Sequence, residues 1–352
     1  MNPFKPTAGK MPPYLIGREE AIAEFDEGLR NGAGAPGLLM RVSGARGMGK
    51  TVLLAEFRRM AFGVGWNVVS ESAQPGFCDR IYQQLQPNVR VSGVQAGLRV
   101  FGASGSADLA RKDLDLRESM RAVALANGDG KGLLITLDEV QDAPLAELQT
   151  LAHAVQHLIS DDIEISFVFA GLPSMERTAL HGQTLTFLRR ALPVHISAID
   201  VGDVAWSLED TFEETGVAVG EGLVQQMAAA TRGYPYMVQL VGYYCWQAAE
   251  RNGMVLDSAG CEQGISRARS RFDAAVIEPA LQHLSPRQMR YLHAMAQDEG
   301  RISNSGEIAK RIGCSQTSAS SVRESLIRAN VIESPRWGAL QFVIPYMWEY
   351  LY

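Results

Sequence analysis

The sequence predicts an α/β fold: a parallel sheet covered by helices, followed by a helical lid and a C-terminal winged-helix domain. Three observations predict it. Over roughly the first 200 residues, short apolar runs bounded by turn residues alternate with stretches of helical spacing, which implies crossover connections and parallel strands. From about Val201 the pattern turns wholly helical. From Ser285 it changes again, to three short helices closed by a strand–turn–strand. The expected units are residues 1–200, 201–280 and 281–352.

Composition narrows the function classes. At 352 residues and 46% hydrophobic content the chain can bury a sizeable core and is too long for one domain, and 20% charged residues exclude wholesale disorder. The 33 Lys+Arg, mostly arginine, against 39 Asp+Glu give −6, which excludes a generally basic nucleic-acid binder. Any DNA-binding surface must be a local patch. Cys78, Cys245, Cys261 and Cys314 lie far apart with no Cys-x-x-Cys, against a disulfide scaffold or a zinc ribbon. The start of the chain has no apolar signal core and no run approaches 18 apolar residues, so the reading is soluble and cytoplasmic, with no membrane partner.

Taken in order, the first ~13 residues, rich in Pro and Gly, read as a loose arm. Ile22, Phe25 and Leu29 are spaced for a helix from Arg18 to Leu29, which ends in the Gly/Ala/Pro loop Asn31 to Gly37. GLLMRVSG reads as a buried strand, MGKTVLLAEFRRMAF as a helix and GWNVVSESA as a second strand. The stretch from Pro87 to Ala107 receives no role. GLLITLDEV and EISFVFAG are apolar strands separated by the helix LAELQTLAHAVQHLIS. VAWSLEDTFEETG, EGLVQQMAAATRG and PYMVQLVGYYCWQAAE supply the lid helices.

The sharpest motif is Gly44-Ala45-Arg46-Gly47-Met48-Gly49-Lys50-Thr51, which satisfies G-x-x-x-x-G-K-[ST] and lies between a strand and a helix that continues through Val52. Its chemistry is phosphate binding. Glycines let backbone N–H groups turn inward onto phosphate oxygens, and the helix N-terminus adds its positive dipole. Lys50 is expected at the β- and γ-phosphates of ATP or ADP, and Thr51 at a magnesium ion. The second half of such a site needs acids at the tip of a buried strand. LLITLDEV supplies them: Asp138 is expected to hold magnesium, and Glu139 to orient and deprotonate the attacking water.

On these residues the chain resembles the AAA+ and STAND group of P-loop ATPases, nearest to those related to origin-recognition initiators. The resemblance rests on YLIGREEAIAEF, GARGMGKTVLL, LLITLDEVQ, FVFAGLPS, TRGYPYMVQLVGYYCW and a C-terminal winged helix. It implies a P-loop NTPase fold, with Gly17 and Arg18 beside the adenine and Pro235 of the Gly-Tyr-Pro turn near the base. FVFAGLPS takes the place of the family's first sensor, where a polar side chain ends the strand, yet this chain has Ala170 and Gly171 there and Ser174 further on. Arg189 and Arg190 stand where relatives carry an arginine finger, although paired arginines ending a helix also favour its dipole. Arg232 is a further candidate for contacting phosphate.

The C-terminal GEIAKRIGCSQTSASSVRESLIRANVIE has a helix–turn–helix layout. Its second helix offers Gln316, Thr317, Ser318, Ser320, Ser321 and Arg323, and the turn PRWG adds Arg336. Residues 281–352 hold eight Lys+Arg and six Asp+Glu, near +2. Two functions follow: an ATP-hydrolysing switch that acts on duplex DNA through residues 304–338, or a STAND-like regulatory ATPase whose winged helix contacts protein. Either is compatible with a nucleotide-dependent homo-oligomer. His153 and His157, four apart with no third ligand, read as an ordinary helix face. Tyr234, Tyr236, Tyr243, Tyr244 and Trp246 read as lid core. The aromatic tail Tyr346, Trp348, Tyr350 and Tyr352 is expected to dock onto the winged helix.

Overall fold

The computed structural model describes residues 1–7, 9–86, 106–126, 128, 131–175 and 186–352, so residues 87–105 of the Pro87 to Ala107 stretch lie outside the described residues. The chain divides into two compact units. One comprises Arg18–Gly44 and Lys50–His195, the other Met1–Gly17, Ala45–Gly49 and Ile196–Tyr352.

The first unit runs α1 (Glu19–Asn31), β1 (Leu39–Ser43), α2 (Lys50–Gly63), β2 (Asn67–Ser72), α3 (Phe77–Leu85), α4 (Ser106–Leu125), β3 (Leu133–Asp138), α5 (Leu145–Ser160), β4 (Ile165–Gly171) and β5 (Leu192–His195). Its five strands pair in parallel in the order β2-β3-β4-β1-β5. Every residue of β4 and five of the six in β3 are buried, as befits central strands covered on both faces. β5 is the edge partner of β1, and there Pro193, which lacks an N–H, costs the ladder nothing on its outer side. Phe77, Ile81, Leu148, Leu151 and Val155 from α3 and α5 pack with Ile135, Leu137, Phe167 and Phe169 in one cluster. Phe25 of α1 meets Phe57 of α2 with ring centroids 4.4 Å apart. Each such fully buried side chain contributes roughly 1.5–3 kcal/mol. The register sets Ser43 opposite Gly171 and Leu137 opposite Phe169. The C-terminal ends of β1, β4 and β3 therefore share one edge of the sheet.

The second unit contains the helices Val201–Glu214, Leu223–Thr231, Pro235–Arg251 and Ser258–Phe272. Local chemistry starts them: Asp200 and Asp257 accept from the amides of Gly202 and Gly260, and Pro235 occupies a first-turn position where no N–H is needed. Further on, the helix Pro286–Ala296 opens with a Ser285/Gln288 capping box, Ser305–Arg311 with Asn304, and Gln316–Arg328 with Ser315. Three short antiparallel strands complete this part, with Ala339–Phe342 between Ser303–Asn304 and Ile332–Glu333. Trp337, in the turn before the middle strand, is fully exposed. No helix among the described residues is long and apolar enough to cross a membrane.

Two expectations change. The N-terminal residues are not a loose arm: Phe4 is buried, 5.6 Å ring to ring from Phe212, and lies so close to Gly242 that a side chain there would collide with it. Asn2 donates to Tyr243 O and the Lys5 amide to Gln239 Oε1. The Pro/Gly content that suggested mobility describes the backbone alone and is silent about an anchoring aromatic. The aromatic tail also divides its contacts. Trp348 packs at Gly300 and His293 bonds Leu351 O, whereas the Tyr346 hydroxyl donates to Ala230 O in the helix Leu223–Thr231.

Because Phe4 fills a built site, Phe4→Ala is expected to lower unfolding free energy by about 3 kcal/mol. Urea denaturation followed by tryptophan fluorescence reads this, and a wild-type midpoint would return the segment to a loose arm.

Candidate functional site

The phosphate-loop motif begins where β1 ends. Ser43 is buried, its hydroxyl 2.5 Å from His195 Nδ1 at the end of β5, and the Gly44 amide donates to Gly171 O at the end of β4. Gly47 and Gly49 take φ values of 77° and 90°, a left-handed geometry that L side chains adopt only under strain. α2 starts at Lys50, whose side chain is buried and whose ammonium donates to Gly44 O at 2.9 Å. Thr51, one residue on, donates its hydroxyl to Asp138 Oδ2 at 2.6 Å.

The other Asp138 oxygen accepts from the Glu139 amide at 2.8 Å. Glu139 itself has φ 57°, a left-handed conformation that costs a non-glycine residue about 1–2 kcal/mol, and it opens a tight turn over Val140–Asp142. The hydroxyl of Thr51 and the carboxylate of Asp138, both hard oxygen donors already in contact, fit a magnesium ion. Among the described residues no group of three His, Cys, Asp or Glu side chains is placed to hold a metal, and His153 and His157 are both exposed.

The remaining predicted residues fall as follows. Gly17 is left-handed and faces Ile199, while Arg18 is buried, and that burial lowers the pKa of its guanidinium against the attraction of Glu19. Gly233 is also left-handed, and a side chain there would collide with Ile199 O, whose own amide donates to Gly233 O at 2.8 Å. The next residue, Tyr234, is buried, its hydroxyl donating to Arg46 O and its ring lying where a Gly47 side chain would stand. Burial pushes its phenol pKa upward, with Arg46 opposing. Pro235 and Val52 are half-buried. Arg189 and Arg190 are exposed at the end of the short helix Thr186–Arg189. Arg232 stacks 3.8 Å over the Tyr346 ring and pairs with Glu349.

Sequence reasoning missed two residues. Arg58, two turns into α2, donates to Ser70 Oγ at 3.1 Å and Thr136 Oγ1 at 3.3 Å. Burial lowers its pKa while Asp138 pulls it the other way. Gln141 is the second. β4 ends in Ala170 and Gly171 with no polar side chain, and beside Gly171, next to the Met175 sulfur, lies the Gln141 amide, which accepts from the Leu172 amide at 2.9 Å and donates to Glu139 Oε2. Its position two after Glu139 was the available signal.

Comparisons with known proteins bear on the fold. Residues 14–168 match the AAA ATPase domain model, and residues 274–351 match a domain of unknown function, DUF8462. Among solved structures, the Aeropyrum pernix ORC2 protein in ADPNP–ADP complexes aligns with a TM-score of 0.67 at 17% identity, covering 98% of this chain and 94% of that one. A Walker-type ATPase of Pyrococcus abyssi aligns at 0.62 and 17%, covering 96% of each chain. Cdc6p from Pyrobaculum aerophilum aligns at 0.56 and 15%, covering 98% and 94%. At such identities the likeness is one of fold. No curated protein matches.

The two loop glycines separate strain from collision. Gly49→Ala has open space and should cost about 1–2 kcal/mol, the strain alone. Gly47→Ala should cost more, and Tyr234→Ala should reduce the excess. Additive effects in a double-mutant cycle by chemical denaturation would contradict the contact.

Proposed function

We propose that this chain, which carries an AAA ATPase domain over residues 14–168 and has the fold of the archaeal origin-recognition P-loop ATPases, binds and hydrolyses ATP as a conformational switch that acts on DNA. The observation that carries the hydrolytic reading is the Thr51–Asp138 hydrogen bond one residue from Lys50. Loop amides and the Lys50 ammonium, released from Gly44 O, bind the phosphates. Thr51 and Asp138 would hold magnesium, which when bound neutralises charge on the β- and γ-phosphates. Glu139 accepts the proton of the attacking water. Arg189 and Arg190, exposed at a helix end, are read as groups offered to the γ-phosphate of a neighbouring copy.

The DNA reading rests on residues 304–338, taken as a winged helix. Gln316, Thr317, Ser318 and Ser321 are exposed on the helix Gln316–Arg328, and Arg336 and Trp337 stand exposed in the following turn. Hydroxyls, an amide and a guanidinium suit bases and phosphates, and a net charge near +2 predicts weak, salt-sensitive binding. Filter binding of duplex DNA at low salt, with and without a non-hydrolysable ATP analogue, tests this reading. Absence of binding in both states rejects it. A second reading, the STAND-like regulatory ATPase with a protein partner, is favoured by the Arg232–Tyr346–Glu349 contact, which ties the C-terminal helix to the lid turn. ATP-dependent oligomerisation without DNA, read by mass photometry, supports it.

Lys50→Ala is expected to abolish detectable Mg·ATP binding in calorimetry. Glu139→Gln should keep the affinity while turnover falls by roughly 10²–10⁴, and unchanged turnover would remove Glu139 as the base.

A further inference from the structure

We infer that Gln141 is the positioning residue for Glu139, and that it supplies from the turn after β3 the polar contact that β4 lacks. The inference rests on the reading of Glu139 as the base. Leu172 N–H can only donate, so the amide oxygen of Gln141 must face it, and the Nε2 group is left to face carboxylates. It donates to Glu139 Oε2 and, at 3.2 Å, to Asp142 Oδ2. The orientation of the amide is thus fixed from both ends. A side chain at residue 171 would come within 2.9 Å of Gln141 Oε1, so the glycine that ends β4 is what lets the amide lie there. Gly171 O in turn accepts the amide of Gly44, the first residue of the phosphate loop. The base is therefore registered against Gly44, at the end of β1, through one side chain and one strand end. A displacement of the base of about 1 Å is worth up to roughly 10²-fold in rate.

Gln141→Glu and the neutral Gln141→Met together separate positioning from structure. The new carboxylate still accepts from Leu172 N–H but offers no donor to Glu139. We expect kcat for Mg·ATP hydrolysis to fall about tenfold or more, with KM and nucleotide affinity within about threefold, while the added negative charge facing Glu139 and Asp142 lowers the melting temperature. Gln141→Met, similar in length and uncharged, should show the same loss of kcat. In a Glu139→Gln background, Gln141→Glu should cause no further loss. Wild-type kcat in either Gln141 variant, while Glu139→Gln alone is inactive, overturns this inference and leaves Glu139 as the base. Full turnover in Glu139→Gln itself removes the base assignment and this inference together.

Discussion

A hydrogen bond from the Thr51 hydroxyl to the Asp138 carboxylate joins positions 87 residues apart in sequence, and the site depends on the strand order that permits it. β1, which leads into the phosphate loop, and β3, which ends in the acids, do not pair with each other. β4 lies between them, buried along its whole length. An apolar strand therefore sets the spacing between the end of β1 and the acid that ends β3. β4 itself ends without a polar side chain, in Ala170 and Gly171. A polar side chain inside the sheet would need a partner among apolar neighbours, and the chain instead brings an amide in from the adjacent turn.

Much of the site was legible in the sequence because its parts are local. A Gly-rich loop between an apolar strand and an amphipathic helix, and two acids ending an apolar run, are recognisable without knowing what they touch. Helix starts rest on equally local chemistry, since Asp200, Asp257, Ser285 and Ser315 cap amides two or three residues away, although those caps were not among the sequence expectations. The rest depends on distant partners. Phe4 is anchored by residues 212 and 242, and Tyr234 by a loop 188 residues earlier. Arg58 acts across two strands. None of these pairings leaves a mark in local composition. Gln141 sits in between, because its neighbour in sequence is visible while Leu172 N–H is not.

The second unit carries its own continuous line of contacts. From the Tyr234 hydroxyl on Arg46 O the path runs to Phe272, 5.3 Å away edge to face, and on to Tyr346 at 6.4 Å. Arg232 and Arg269 each lie over the Tyr346 ring, at 3.8 and 3.9 Å. Each contact of this kind contributes about 0.5–1 kcal/mol when partly exposed. The backbone of Tyr346 is left-handed, within a turn closed by the Met347 amide donating to Ile344 O at 3.4 Å. Loop residues 45–49 and the C-terminal helix thus share one packed path within a single unit.

The seating of Phe4 has a practical bearing on anyone who handles this polypeptide. Removing the Pro-rich opening residues, a routine tidying step before crystallisation, would unroof Phe212 and the shallow notch at Gly242 instead of discarding slack chain. A sticky apolar hollow would then face solvent, and self-association of the shortened polypeptide would reflect the trimming rather than the biology.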